Sequence, residues 1–215
     1  MKKIGLIFYA ALVLISCKEK TEAVTQSNDK ELKESTPKQM ENSNLPYGSK
    51  QASAFYKQDA ISSDYKVVPG SNSAKSYDDK TIPVKEDDFG YLIAKGGTYY
   101  ELENFKFPQA TCKLMIYNVS GENDSNVLNI QLNSYDETNT LKDALLLDSR
   151  FTFETEYYRD FNIDKDGVID IKKISVHNLT YNEQGDIVGE RSTDSIASES
   201  VKYRIENGGK FVKSE

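Results

Sequence analysis

Leu128-Asn129-Ile130-Gln131-Leu132-Asn133 is the stretch on which the fold turns. Aliphatic and amide residues alternate strictly, and a period of two marks a β-strand with one apolar and one polar face. The pattern recurs. Leu145, Leu147, Phe151, Phe153 and Tyr157 share one parity, and Val201, Tyr203 and Ile205 alternate with Lys202, Arg204 and Glu206. Strands of this kind are half-buried and antiparallel, each with one face in water. Turn chemistry separates them: Gly96-Gly97, Ser120-Gly121, Asp166-Gly167, Gln184-Gly185 and Gly208-Gly209 all fall between apolar segments. The reading is an all-β antiparallel meander of about eight to ten strands. Only Ala52 to Ala60 has the pattern of a short helix. With no long helix to cover a sheet, two sheets must face each other or one must curl, giving a sandwich or a propeller- or barrel-like single domain. The 14 tyrosines and nine phenylalanines supply its core, with packing preferred over carbohydrate stacking as their role.

Outward from the strands, the composition divides the chain. From Lys18 to Lys50 it is rich in Lys, Glu, Ser, Thr, Asn and Gln, with six basic residues against six acidic. Such a segment cannot bury enough apolar surface to offset ordering entropy and reads as a disordered tether, able to hold a domain roughly 30 Å away. The domain is expected over 51–215, where 19 basic residues face 28 acidic ones. That balance disfavours nucleic acid and anionic lipid headgroups as partners and suits a basic protein or a divalent cation.

The N-terminus is an address. Lys2 and Lys3 precede an apolar run from Ile4 to Ile15, which ends at Leu14-Ile15-Ser16-Cys17. The run is too short to span a bilayer, which takes roughly 20 apolar residues, and it has the order of an export signal. The four residues resemble the lipobox of bacterial lipoproteins. That resemblance implies removal of residues 1–16, lipidation of Cys17 as the first mature residue, and further acylation of its new amine. Two or three chains on one residue would anchor the protein firmly without a transmembrane helix. The alternative is an ordinary secretory peptide with an incidental cysteine. Lys18 rather than aspartate after Cys17 favours the outer membrane over inner-membrane retention, whether at the periplasmic face or the cell surface. Lys18-Glu19-Lys20 is similar to a surface-export segment of Bacteroidetes lipoproteins, and Asp194-Ser195-Ile196 to the O-glycosylation motif of that phylum. With Cys17 lipidated, Cys112 stands alone in an apolar run and reads as a buried structural thiol.

One segment suggests ion chemistry. Asn162, Asp164, Asp166 and Asp170 place oxygen side chains at relative positions 1, 3, 5 and 9, with Gly167 at position 6. Calcium takes six to eight oxygens at about 2.3–2.6 Å, and this spacing can wrap them around one point. The stretch resembles the start of an EF-hand loop and, better, the calcium loop of FG-GAP-type β repeats, since Val168 to Val176 is strand-like and Lys173 stands where an EF-hand has its glutamate. A similar loop occurs in small propeller-like β proteins related to lysozyme inhibitors. Two readings stay open: a weak calcium site, or a tight hairpin turn tipped by Asp166-Gly167.

The rest points away from catalysis. The lone His177 sits in a strand pattern and leaves no two-histidine zinc site. No nucleophile elbow, phosphate loop or dinucleotide fingerprint is present. Asp87-Asp88 and Glu154 with Glu156 are nominal acid pairs for glycosidase chemistry, though the two glutamates share the polar face of a strand. The expectation is a lipid-anchored, non-enzymatic β domain that binds a protein or glycan. Its alternatives are an inhibitor or immunity protein against an envelope-degrading hydrolase, suited by its acidity to a basic enzyme, and a carboxylate-based hydrolase.

Overall fold

The structure, a computed structural model, describes residues 44–80 and 82–214. The signal, Cys17 and nearly all of the tether lie outside the described residues. The elements run β1 (Tyr47–Gly48), α1 (Ser49–Ala52), a 3-10 turn (Ser53–Phe55), β2 (Tyr56–Gln58), β3 (Tyr65–Val67), β4 (Ala74–Ser76), β5 (Val84–Lys85), β6 (Thr98–Phe107), β7 (Ala110–Ser120), β8 (Asn126–Tyr135), β9 (Leu141–Thr152), β10 (Thr155–Ile163), β11 (Val168–Tyr181), β12 (Ile187–Glu206) and β13 (Lys210–Ser214). The fold is all-β. Strands β6 to β13 pair each with the next in chain order, β4 lies outside β6, and β1 and β5 add to β10 and β9. Every pairing among the described residues is antiparallel except β5 with β9.

One core holds the meander together. Ile116, Leu128, Leu132 and Leu145 from β7–β9 and Phe161, Ile171, Val201 and Phe211 from β10–β13 belong to the same buried cluster. The two halves of the sheet therefore fold over a shared interior, while the terminal strands β4 and β13 do not pair and no barrel closes.

Four features differ from expectation. Among the described residues the strands number 13, because five pieces of two or three residues carry no readable period. The fold begins by Asn44 rather than at residue 51: Leu45 and Tyr47 are buried, and β1 pairs Tyr47 with Ile163. The helical turn accordingly falls at Ser49–Ala52 and not across Ala52 to Ala60.

Strand β8 itself also differs. Its apolar residues are buried as predicted, but Asn129, Gln131 and Asn133 are also fully buried. An irregular strap from Tyr77 to Gly97, which carries β5, covers that second face. Tyr77 and Ile93 of the strap pack with Met115 and Tyr117. Most of the amide groups beneath are answered by hydrogen bonds, Asn129 Oδ1 being the exception: Asn129 Nδ2 donates to Tyr91 O at 2.6 Å, the Tyr117 hydroxyl donates to Gln131 Oε1 at 2.8 Å, and Gln131 Nε2 donates to Asn133 Oδ1 at 2.7 Å. The Tyr135 hydroxyl closes the run on Asp79 of the strap. Pairing of this kind offsets most of the cost of burying amides.

Candidate binding cleft

Strand β10 pairs with β9 only at Glu156–Thr152 and Tyr157–Phe151 and then diverges. A register shift opposite Ile130 and Gln131 leaves Leu147 of β9 without a β8 partner. The split is bridged by charged side chains. Asp148, with no exposed surface, accepts from Arg150 Nε at 2.6 Å and from the Arg159 backbone N–H at 2.8 Å. Arg159, itself 3 % exposed, donates to Leu146 O on β9 at 3.1 Å and to Glu86 O and Asp88 Oδ2 on the strap at 2.8 and 2.9 Å. Lys173 on β11 bridges the same two strap acids, 2.6 Å from Glu86 and 2.7 Å from Asp88. The Tyr203 hydroxyl also donates to Glu86.

Burial sets the electrostatics, and the partners oppose it. Burial pushes the Asp148 carboxyl up, against the pull of Arg150. It likewise holds Arg159 below its usual value, against Asp88 and Asp148. For Glu86 burial also pushes upward, but hydrogen bonds from Lys173 and Tyr203 outweigh it and the carboxyl lies below its ordinary value. These groups compensate one another.

Above this lattice lies a cleft of ≈ 310 Å³. Cross-strand partners share a face of the sheet, so the register stacks Arg159, Lys173 and Glu199 in one rank and Tyr157, Ser175 and Ala197 in the next. Phe89 of the strap forms a lip, 40 % exposed, with its ring edge-on to Phe151 and Tyr157 at 4.9 and 5.1 Å. Aromatic faces beside hydroxyls and a carboxylate can hold an extended polar ligand that has apolar edges. A wider groove of ≈ 540 Å³ lies over β10–β13 among Asp160, Asp170, Lys172, Lys202 and Lys213. It has no aromatic wall comparable to Phe89 and Tyr157.

The residues singled out in the sequence are mostly used elsewhere. Asp164 Oδ1 accepts the backbone N–H groups of Asp166 and Val168 at 2.9 and 2.8 Å, and Gly167 takes φ +76°, so the loop is a hairpin turn stabilised by its own aspartate. Asn162 and Asp170 face each other across the β10–β11 ladder behind that turn, and Asp170 pairs with Lys202 at 3.1 Å. The four oxygens are not gathered around a point. Among the described residues no three His, Cys, Asp or Glu side chains come together to hold a metal ion.

The acid pairs separate similarly. Glu154 accepts from the Tyr181 hydroxyl and Glu156 from that of Tyr65, while Asp87 caps the Gly90 N–H and Asp88 serves Arg159 and Lys173. His177 lies between Thr155 and Ser175 hydroxyls at 3.0 and 3.4 Å. Cys112 is fully buried, and burial pushes its thiol up to about 12. Asp148, Arg159, Glu86 and Lys173 were not foreseen. The signal was present in Tyr157, Arg159, Phe161 and Ile163: one parity, three apolar residues and an arginine among them.

Among the described residues no helix is long and apolar enough to cross a membrane. No family model, curated protein or solved structure matches the chain.

Proposed function

We propose that the chain is an outer-membrane lipoprotein, held by acyl chains on Cys17, whose β domain binds a glycan or protein ligand without altering it. The state of the ionic groups at the cleft carries this reading. Arg159, Lys173, Glu86, Asp88 and Asp148 are each committed to a partner within the protein, whereas Phe89, Tyr157 and Ser175 line the space that remains. Carboxylates tied to guanidinium and ammonium groups are poor general acids, and glycosidase chemistry needs two that converge on one bond. Aromatic rings beside hydroxyls instead suit binding.

The test is titration with soluble peptidoglycan fragments, other envelope glycans and envelope proteins. Binding is expected to weaken about tenfold in Phe89→Ala, as loss of one stacking contact implies. Turnover of any of these substrates, abolished by Asp88→Asn, would overturn the proposal. The anchor is tested by metabolic labelling with an alkyne fatty acid. Cys17→Ser is expected to lose the label and leave the membrane fraction, and persistent labelling would count against the lipobox.

A second reading, inhibition of an envelope-degrading hydrolase, is favoured by one feature. Beyond the end of β10 the strands β11 and β12 continue as a bare two-stranded ribbon, and over residues 178–194 none of its residues is buried. Glu183, Asp186, Glu190 and Asp194 stand there against Arg191 alone. Such a ribbon suits the cleft of a basic enzyme. Slowing of a lysozyme-type hydrolase, lost when residues 178–194 are replaced by a short turn, would establish it.

A further inference from the structure

Strand β12 has an open backbone edge. Its partner β13 covers it only from Lys202 to Glu206, ending with Ser214 opposite Lys202. Among the described residues no strand pairs with that side of β12 before Lys202. On the other side the ladder to β11 is regular from Ser195 to Arg204, but upstream Glu190 pairs with Leu179 and the intervening residues bulge out. The window Ser195 to Val201 is therefore backed by β11, bounded by a bulge at one end and by β13 at the other.

The direction of its backbone groups follows from one bond. Ile205 N–H donates to Gly167 O on the β11 side. In an antiparallel strand the N–H and C=O of one residue point the same way, and successive residues alternate. Ile196, Ser198 and Ser200 therefore aim theirs at the open edge. Lys202, of the same parity, accepts the Ser214 hydroxyl on the β13 side. Natural sheets blunt such edges with lysine, proline or a bulge. Ser195-Ile196-Ala197-Ser198-Glu199-Ser200-Val201 contains none of these, all but Val201 are exposed, and Ile196 is 67 % exposed.

We propose that a second copy of the chain adds here, β12 against β12, antiparallel about a two-fold axis at Ser198. A two-fold interface must be complementary to itself, and this window is. The edge-facing residues map onto each other, Ile196 against the second copy's Ser200 and Ser198 against its equivalent. Glu199 meets an alanine and not another acid. The pairing ends before Lys202, where β13 of each copy takes the edge, and before the bulge that precedes Ser195. Because Ala197 and Glu199 line the cleft, the pairing extends its floor into the second copy and joins two clefts into one groove. The inference goes beyond the proposed function and stands whatever the cleft holds.

The test uses the full chain carrying Cys17→Ser, so that the buried Cys112 is the only other thiol. Sedimentation is expected to show a concentration-dependent dimer in the range of about 1–100 µM. Residues that exchange both hydrogen bonds have Cα atoms about 5.5 Å apart, within disulfide reach, so Ser198→Cys is expected to cross-link two chains on mild oxidation. Ser198→Pro removes an N–H that points away from β11, so it should leave the melting temperature nearly unchanged and abolish the dimer. A monomer throughout that range overturns the proposal, as does a dimer that survives Ser198→Pro. If Ser198→Pro does not fold, failure of Ser198→Cys to cross-link overturns it instead.

Discussion

Asp148 has no contact with water, and its carboxylate is held by Arg150 Nε and the Arg159 N–H. Arg150 lies in turn between aromatic rings, 5.0 Å from Tyr56, 5.8 Å from Tyr65 and 5.3 Å from Tyr158. Removing the acid would leave a guanidinium almost out of solvent, with only the exposed Asp160, 3.9 Å away, as counter-charge. Asp148→Ala is therefore expected to destabilise the fold by about 3–5 kcal/mol in urea denaturation. Glu86 governs a pH response. Its folded value lies below the ordinary 4.5 through Lys173 and Tyr203, in spite of burial. A depressed carboxylate stabilises the fold above that value, and the contribution is lost as pH falls through the folded one. Between pH 5 and 3, as read from denaturation midpoints, Glu86→Gln should lose less stability than the parent chain. Cys112 reports unfolding: with its thiol pushed to about 12, it should resist thiol reagents at pH 8 until the chain is denatured. Rapid native labelling would contradict its burial.

At the scale of elements, the β10–β11 turn separates the two readings that the sequence left open. Asp164 Oδ1 is taken by two backbone N–H groups of its own turn. Asp164→Ala should cost about 1–2 kcal/mol by releasing those donors, and millimolar calcium should leave the melting temperature where EDTA leaves it. A calcium-dependent rise would show that the turn can reopen. The strands were legible because period two survives wherever one face meets the core, as in Val201-Lys202-Tyr203-Arg204-Ile205. Strand β8 shows where legibility ends. Its amides look like a wet face, and nothing in Asn129, Gln131 or Asn133 announces that residues 38 to 54 positions upstream will cover them. The cleft was illegible for the same reason: Glu86 and Lys173 meet only because the strap crosses the sheet.

For the molecule as a whole, almost all pairing is between strands adjacent in sequence, and the exceptions tie distant parts together. The ribbon contributes nothing to that closure. Replacing residues 178–194 by a short turn should leave unfolding free energy within about 1 kcal/mol of the parent, since no buried residue is lost. A larger loss would mean the ribbon supports the core. Strand β1 is the opposite case. It is two residues long, pairs with the middle of the meander at Asn162 and Ile163, and lodges Leu45 and Tyr47 in the common interior. Tension applied from the N-terminal side, as a membrane anchor would apply it, must enter the domain through that short clamp. Pulled from that side, β1 is expected to detach before β10 and β11, since two residue pairs hold it against nine between those strands, and single-molecule stretching should show that small step ahead of the main unfolding event.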